Sequence, residues 1–142
     1  MIIRPDEDVL KTFQSNISTI RILLGWSAEK LSEILDLSRT ALNNYQSGRI
    51  SLSVISYYAL WTVFNYASEH CEDDRRAYFV NALIDGENYN HEKAEAIKDS
   101  VARSYRRCGR RNGTEQASEY VLEALSERFP ESLWYYQKDG DA

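Results

Sequence analysis

Between Gly25 and Gly48 the apolar residues are spaced so tightly that few chain paths can satisfy them. Ser27 offers a hydroxyl to cap a helix, and Leu31, Ile34 and Leu35 repeat at the three- and four-residue steps of one helical stripe over about two turns. Asp36-Leu37-Ser38 then interrupts the pattern. Asp tolerates a left-handed backbone better than most residues, and Ser38 can cap the next helix. A second stripe, Ala41, Leu42 and Tyr45, runs over Arg39 to Ser47, and Gly48 stands where a left-handed helix end needs it. The expectation is two short helices joined by a three-residue turn. Such a unit holds one helix proud of a surface.

The flanking segments extend this helical reading. Leu10, Phe13, Ile17, Ile20 and Leu24 place one stripe along a helix over Val9 to Leu24, with Asp8 as its expected N-cap and Gly25 as its stop. After a loop at Ile50 to Ser53, a fourth helix from Val54 toward Tyr66 is expected to bury a broad face made of Ile55, Tyr58, Trp61 and Phe64, with Tyr57 and Leu60 beside them. The polar, acidic stretch Glu69 to Asp74 is the expected boundary between two units. Three further helices come after it. They are Asp74 to Ile84, ended by Asp85-Gly86; His91 to Cys108, begun by Asn90 and ended by Gly109; and Thr114 to Phe129, ended by Pro130. Leu133-Trp134-Tyr135-Tyr136 is the one segment that reads as strand, and it could equally anchor a dimer or partner interface.

Charge separates the halves. The 142-residue chain carries a net charge of −5, the wrong sign for a protein whose whole surface grips nucleic acid. Residues 1–66 hold six Lys/Arg and six Asp/Glu, so the acidic surplus lies in residues 67–142. Arg39 to Arg49 contains two arginines and no acid. No segment approaches the roughly 18 apolar residues of a membrane span, and the amino terminus lacks a leader pattern, so a cytoplasmic location without membrane contact is expected. Cys71 and Cys108 lack metal-site spacing and read as ordinary thiols. His70 and His91 stand without a neighbouring nucleophile, and no phosphate loop or paired-carboxylate motif occurs. Neither an enzyme nor a cofactor is expected.

The run Gly25-Trp-Ser-Ala-Glu-Lys-Leu-Ser-Glu-Ile-Leu-Asp-Leu-Ser-Arg-Thr-Ala-Leu-Asn-Asn-Tyr-Gln-Ser-Gly48 resembles the helix-turn-helix of the phage-repressor or Xre-type regulator family. Ile20 to Gly25 is similar to that family's end of helix one, and Ser53 to Phe64 to its helix four. The apolar marks are Leu31, Leu35, Leu37, Leu42 and Tyr45, with Ser32 as the small residue where the helices cross. Three positions depart from the family pattern: Asp36 replaces its usual Gly, Ala28 its Gln, and Gln46 a Glu that pairs with the helix-one Arg, here Arg21.

The resemblance, which covers about residues 8–66, implies a five-helix-type repressor-like domain over residues 8–68. With the three helices read from the residue pattern beyond it, the expectation is an all-α chain whose residues 69–142 form a helical dimerisation or partner-binding unit. The resemblance implies base contacts from Arg39, Thr40, Asn43 and Asn44, and phosphate contacts from Ser27, Ser38 and Arg49. The chemistry of these side chains fits base readout, since Arg bridges the two acceptors of guanine, Asn pairs with adenine, and a Thr methyl meets thymine. The implied function is a sequence-specific regulator of transcription, a repressor that binds a palindromic duplex operator as a homodimer. A second reading makes the unit a protein-binding scaffold, an inhibitor or antitoxin from a mobile element whose acidic half engages a protein partner. Arg103, Arg106, Arg107, Arg110 and Arg111 form a second basic patch. Two readings of it stand: a grip on a DNA backbone or acidic partner, or favourable charge at a helix end paired with the acids of the same half.

Overall fold

A computed structural model describes residues 5–84, 89–108 and 113–131. The described residues form seven helices and no strand: α1 (Glu7–Leu24), α2 (Ala28–Leu35), α3 (Arg39–Ser47), α4 (Val54–Glu69), α5 (Asp74–Leu83), α6 (His91–Cys108) and α7 (Thr114–Arg128). The expected helix ends at Asp85-Gly86 and Gly109, and the segment Leu133 to Tyr136, lie outside the described residues.

Capping explains most helix starts and stops. The side chains of Asp6, Ser27, Ser38, Ser53 and Asp73 each accept a backbone N–H from the first turn of the helix they precede, and Asn90 does so for Lys93 at the start of α6. Asp6, rather than the expected Asp8, caps α1, taking the Val9 N–H at 2.9 Å. Asp8 instead lies with Glu7 in the first turn, where negative charge meets the positive end of the helix dipole. Gly25 and Gly48 close α1 and α3 in the left-handed region, and Asp36 closes α2 there at φ 53°, the one non-glycine residue with positive φ among those described.

α1 lies at the centre. It packs against α3, α4, α5, α6 and α7, and Phe13, Ile17, Ile20 and Leu23 are wholly buried along it. Each such side chain contributes about 1.5–3 kcal/mol by leaving water. The core then continues without interruption through Leu60 and Phe64 of α4, Phe79, Val80 and Leu83 of α5, Ile97 and Val101 of α6, and Val121, Leu122 and Leu125 of α7. At the end of α1 the Leu23 carbonyl accepts from the Ser118 hydroxyl at 2.7 Å and from Arg76 Nε at 2.8 Å. Arg76 also pairs with Glu119 at 2.7 Å, so α1, α5 and α7 share one knot.

Two stripes differ from expectation. Ile34 is 45% exposed, because a helix of two turns presents only a narrow edge inward, and Leu31 and Ser32 fill it. On α4 the buried residues are Tyr57, Leu60, Phe64 and Ser68, whereas Ile55 and Tyr58 stand outward. No residue from Val54 to Ser68 is charged, so the sequence carries no polar face to fix the rotation of this helix. A third difference concerns helix number. Residues 7–69 contain four helices, and α5, which packs on α1 and α4, begins only at Asp74, beyond the expected limit at residue 68. The acidic stretch before it acts as a cap: Asp73 takes backbone N–H groups of Arg75 and Arg76 and pairs with the Arg75 guanidinium at 3.0 Å.

Candidate nucleic-acid interface

α2 and α3 meet through wholly buried Leu31 and Leu42, with half-buried Leu35 and Tyr45 packed against the same core. Ser32 is buried at the crossing, where its small side chain lets the helices approach and its hydroxyl donates to the Glu29 carbonyl at 2.8 Å. Ser38 spans the turn, its oxygen accepting the Ala41 N–H at 3.0 Å. Ser27 does the same for Lys30 at 3.0 Å. Each of these hydroxyls keeps its own proton to donate outward.

Three contacts hold α3 from behind. Arg21 Nε donates to Gln46 Oε1 at 2.9 Å, and its Nη1 donates to the Trp26 carbonyl at 2.8 Å, so one guanidinium joins α1, the entrance to α2 and the last turn of α3. Ser18 adds a hydroxyl bond to the same Gln46 oxygen at 3.2 Å. Burial lowers the pKa of Arg21, and the charge that the Tyr105 phenol carries when ionised opposes that shift. With Gln46 as its partner the guanidinium charge is not neutralised, which leaves a cation directly beneath α3.

Gln14 secures the far end. Its amide donates to the carbonyls of Tyr45 at 2.9 Å and Ile50 at 2.7 Å, and its oxygen accepts the Leu52 N–H at 3.1 Å. The Tyr45 hydroxyl then meets Ser56 of α4 at 3.2 Å. Neither Gln14 nor this tyrosine–serine pair has a signature in the sequence, because each satisfies backbone or side-chain groups some ten to forty positions away.

What remains outward on α3 is a face of Arg39, Thr40, Asn43 and Ser47, with half-buried Asn44 at its edge. Sequence reasoning places the first three and Asn44, and misses Ser47. Its position seven residues after Thr40 and four after Asn43 puts it on the same face. Arg49 and Ser38 are exposed at the two ends of the helix, and Ser27 is half-buried at the start of α2. Neither Arg39 nor Arg49 enters an ion pair among the described residues. Chemically the face offers two guanidinium groups, amides and hydroxyls, and no carboxylate.

Elsewhere, Arg103, Arg106 and Arg107 are exposed at the end of α6, and none forms an ion pair among the described residues. The intramolecular pairing expected on one reading is thus not formed by these three; Arg110 and Arg111 lie outside the described residues. Cys71 and Cys108 are not joined to each other in a disulfide, and the Cys71 thiol donates to the Asp73 carbonyl at 3.4 Å. His70 stacks on Tyr66 at 4.0 Å, and His91 sits edge-on to Tyr89 at 5.0 Å. Among the described residues no three His, Cys, Asp or Glu side chains gather as a metal site, and no helix is long and apolar enough to cross a membrane.

No family model matches the chain, and neither a curated protein nor a solved structure matches it.

Proposed function

We propose that this chain is a sequence-specific, double-stranded DNA-binding regulator of transcription of the phage-repressor type, a repressor that acts as a homodimer with α3 in the major groove. The observation that carries the reading is the outward face of α3: Arg39, Thr40 and Asn43 stand in solvent, free of acidic neighbours on their helix, in a chain of net charge −5. The brace from Arg21 and Gln14 supports it, because base readout needs a helix held in one orientation. Ser38 and Arg49 at the two ends of α3, and Ser27 at the start of α2, supply phosphate donors. Selection from a random duplex pool tests the reading. Enrichment of a two-fold-symmetric site supports it, and a pool that stays random overturns it.

A second reading, in which the unit serves as a scaffold for a protein partner, draws on Ala28 and on the acidic surplus of residues 67–142. Ala28 has no side-chain donor for a phosphate at the start of α2. A random pool together with a specific protein complex would favour it.

A further inference from the structure

Exposed large apolar side chains are unevenly placed. Among the described residues they are Ile34, Ile50, Ile55, Tyr58, Tyr66 and Tyr120, so residues 69–131 contribute one and the earlier part five. Three of the five lie on α4. Ile55 is 84% exposed and Tyr66 63%, and with Tyr58, Ala59 and Thr62 they form a continuous outward stripe, spaced by three and four residues along the whole helix. No charged residue interrupts it before Glu69. A solvated helix face ordinarily carries Lys, Arg, Asp or Glu.

Beside this stripe runs a cleft of about 790 Å³, walled by Trp26, Ile34, Val63, Tyr66 and Ala67 together with the charged side chains of Glu72, Asp73, Arg76 and Glu119. Thr62 and Tyr66 belong to both, so the stripe and the cleft form one continuous surface, apolar along α2 and α4 and charged where Glu72, Asp73, Arg76 and Glu119 close the cleft. Taking about 200 Å² for a large side chain, Ile34, Ile55, Tyr58 and Tyr66 together expose roughly 450 Å², over half of the about 800 Å² that each partner of a standard complex buries. Ala59, Thr62 and the cleft walls supply more. A patch of this extent is of the size of the largest apolar patch on a typical monomer, which is often functional.

We infer that a second copy of this chain docks on α4, the two α4 helices crossing antiparallel about a two-fold axis that passes between Leu60 and Trp61. The stripe is self-complementary in that arrangement. Ile55 of one copy meets Tyr66 of the other beside the open cleft, and the small residues Ala59 and Thr62 face each other at the crossing, where backbones approach most closely. A two-fold pairing needs one surface to carry both the knob and its hole. Here Ile55 is the knob and the cleft at the opposite end of the same helix is the hole. This centres the dimer contact on α4 rather than on residues 69–142 alone, where it was expected, with Glu72, Asp73, Arg76 and Glu119 contributing the charged edge of the cleft. It deepens the homodimer part of the proposed function and stands apart from its DNA part. Because Tyr45 of α3 bonds Ser56 near the start of α4, the antiparallel pairing leaves the two α3 helices at opposite ends of the α4 pair.

Sedimentation equilibrium without DNA tests the inference. The full chain is expected to be a dimer at micromolar concentration, and the Ile55→Glu, Tyr66→Glu variant a monomer with an unchanged helical circular dichroism spectrum. Where that variant fails to fold, chains carrying Ala59→Cys are mixed with chains carrying Thr62→Cys, all in a Cys71→Ser, Cys108→Ser background. Oxidation is expected to yield a mixed disulfide dimer in preference to either like pair. A monomeric natural chain, a folded double-Glu variant that still dimerises, or a mixture without the preferred cross-link overturns the inference, whatever the chain does with DNA.

Discussion

Arg21 of α1 and Gln46 of α3 are joined by a single neutral-acceptor hydrogen bond, Nε to Oε1 at 2.9 Å, at the point where the exposed helix meets the core. The glutamine accepts without cancelling the charge. The same guanidinium reaches the Trp26 carbonyl, so any change at position 46 acts on α1, α2 and α3 together.

Gln46→Ala is therefore expected to lower stability by about 1–3 kcal/mol, since it leaves a half-buried charged donor short of its partner. Gln46→Glu is expected to fold at least as stably as the natural chain, because it converts the bond to a charge-assisted one. Urea unfolding of the two variants checks this. Equal losses in both would contradict the pairing.

Gln14 makes three bonds to the segment between Tyr45 and Leu52. In Gln14→Ala the Leu52 amide, protected in the natural chain, is expected to exchange with solvent deuterium far faster, with a global cost of about 1–3 kcal/mol. Amide exchange followed by NMR reads both quantities. Unchanged protection at Leu52 would show that the loop is held by something else.

Asp36 occupies φ 53° at the end of α2. Asp36→Val is expected to destabilise by about 1–2 kcal/mol, because a branched side chain meets the following carbonyl there, while Asp36→Gly stays within a few tenths of the natural chain or above it. Thermal unfolding of the pair measures the difference. A valine variant as stable as the glycine one would place the residue outside the left-handed region.

Asp73 titrates below the ordinary carboxylate range: burial pushes its pKa up, but the Arg75 guanidinium and the backbone N–H groups of Arg75 and Arg76 pull it further down. A folded pKa below the unfolded one means that stability is present in full above the unfolded value, near 3.9, and is lost as pH falls through the folded value. Asp73→Asn is expected to remove that part of the acid sensitivity and to lower stability at neutral pH. Denaturant midpoints measured from neutral pH down to strong acid give the comparison; identical slopes for both chains would contradict it.

Much of the helical layout was legible because its signals are local. Ser27, Ser38, Gly25, Gly48 and Asn90 sit within one turn of the ends they define, and α2, α3 and the start of α6 fall where they were expected. The rotation of α4 was not legible. An uncharged run from Val54 to Ser68 has no charged side, and long-range contacts, among them those of Tyr57 and Phe64 with Phe13, of Phe64 with Trp26 and of Ser68 with Asn81, choose which residues turn inward. The same gap hid the exposed stripe of Ile55 and Tyr66. For the candidate site, Arg39, Thr40 and Asn43 could be placed outward from their spacing, whereas Gln14 and the Arg21–Trp26 bond depend on how distant segments come together.

The most direct test of the central proposal is a titration of the natural chain and Arg39→Ala against a selected duplex and a scrambled one, by fluorescence anisotropy at several salt concentrations. The natural chain is predicted to prefer the selected duplex and to lose affinity steeply as salt rises, and Arg39→Ala to lose about 1–3 kcal/mol of that preference. Equal affinity of the natural chain for both duplexes, or full discrimination by Arg39→Ala, would contradict the assignment of α3 as the reading helix.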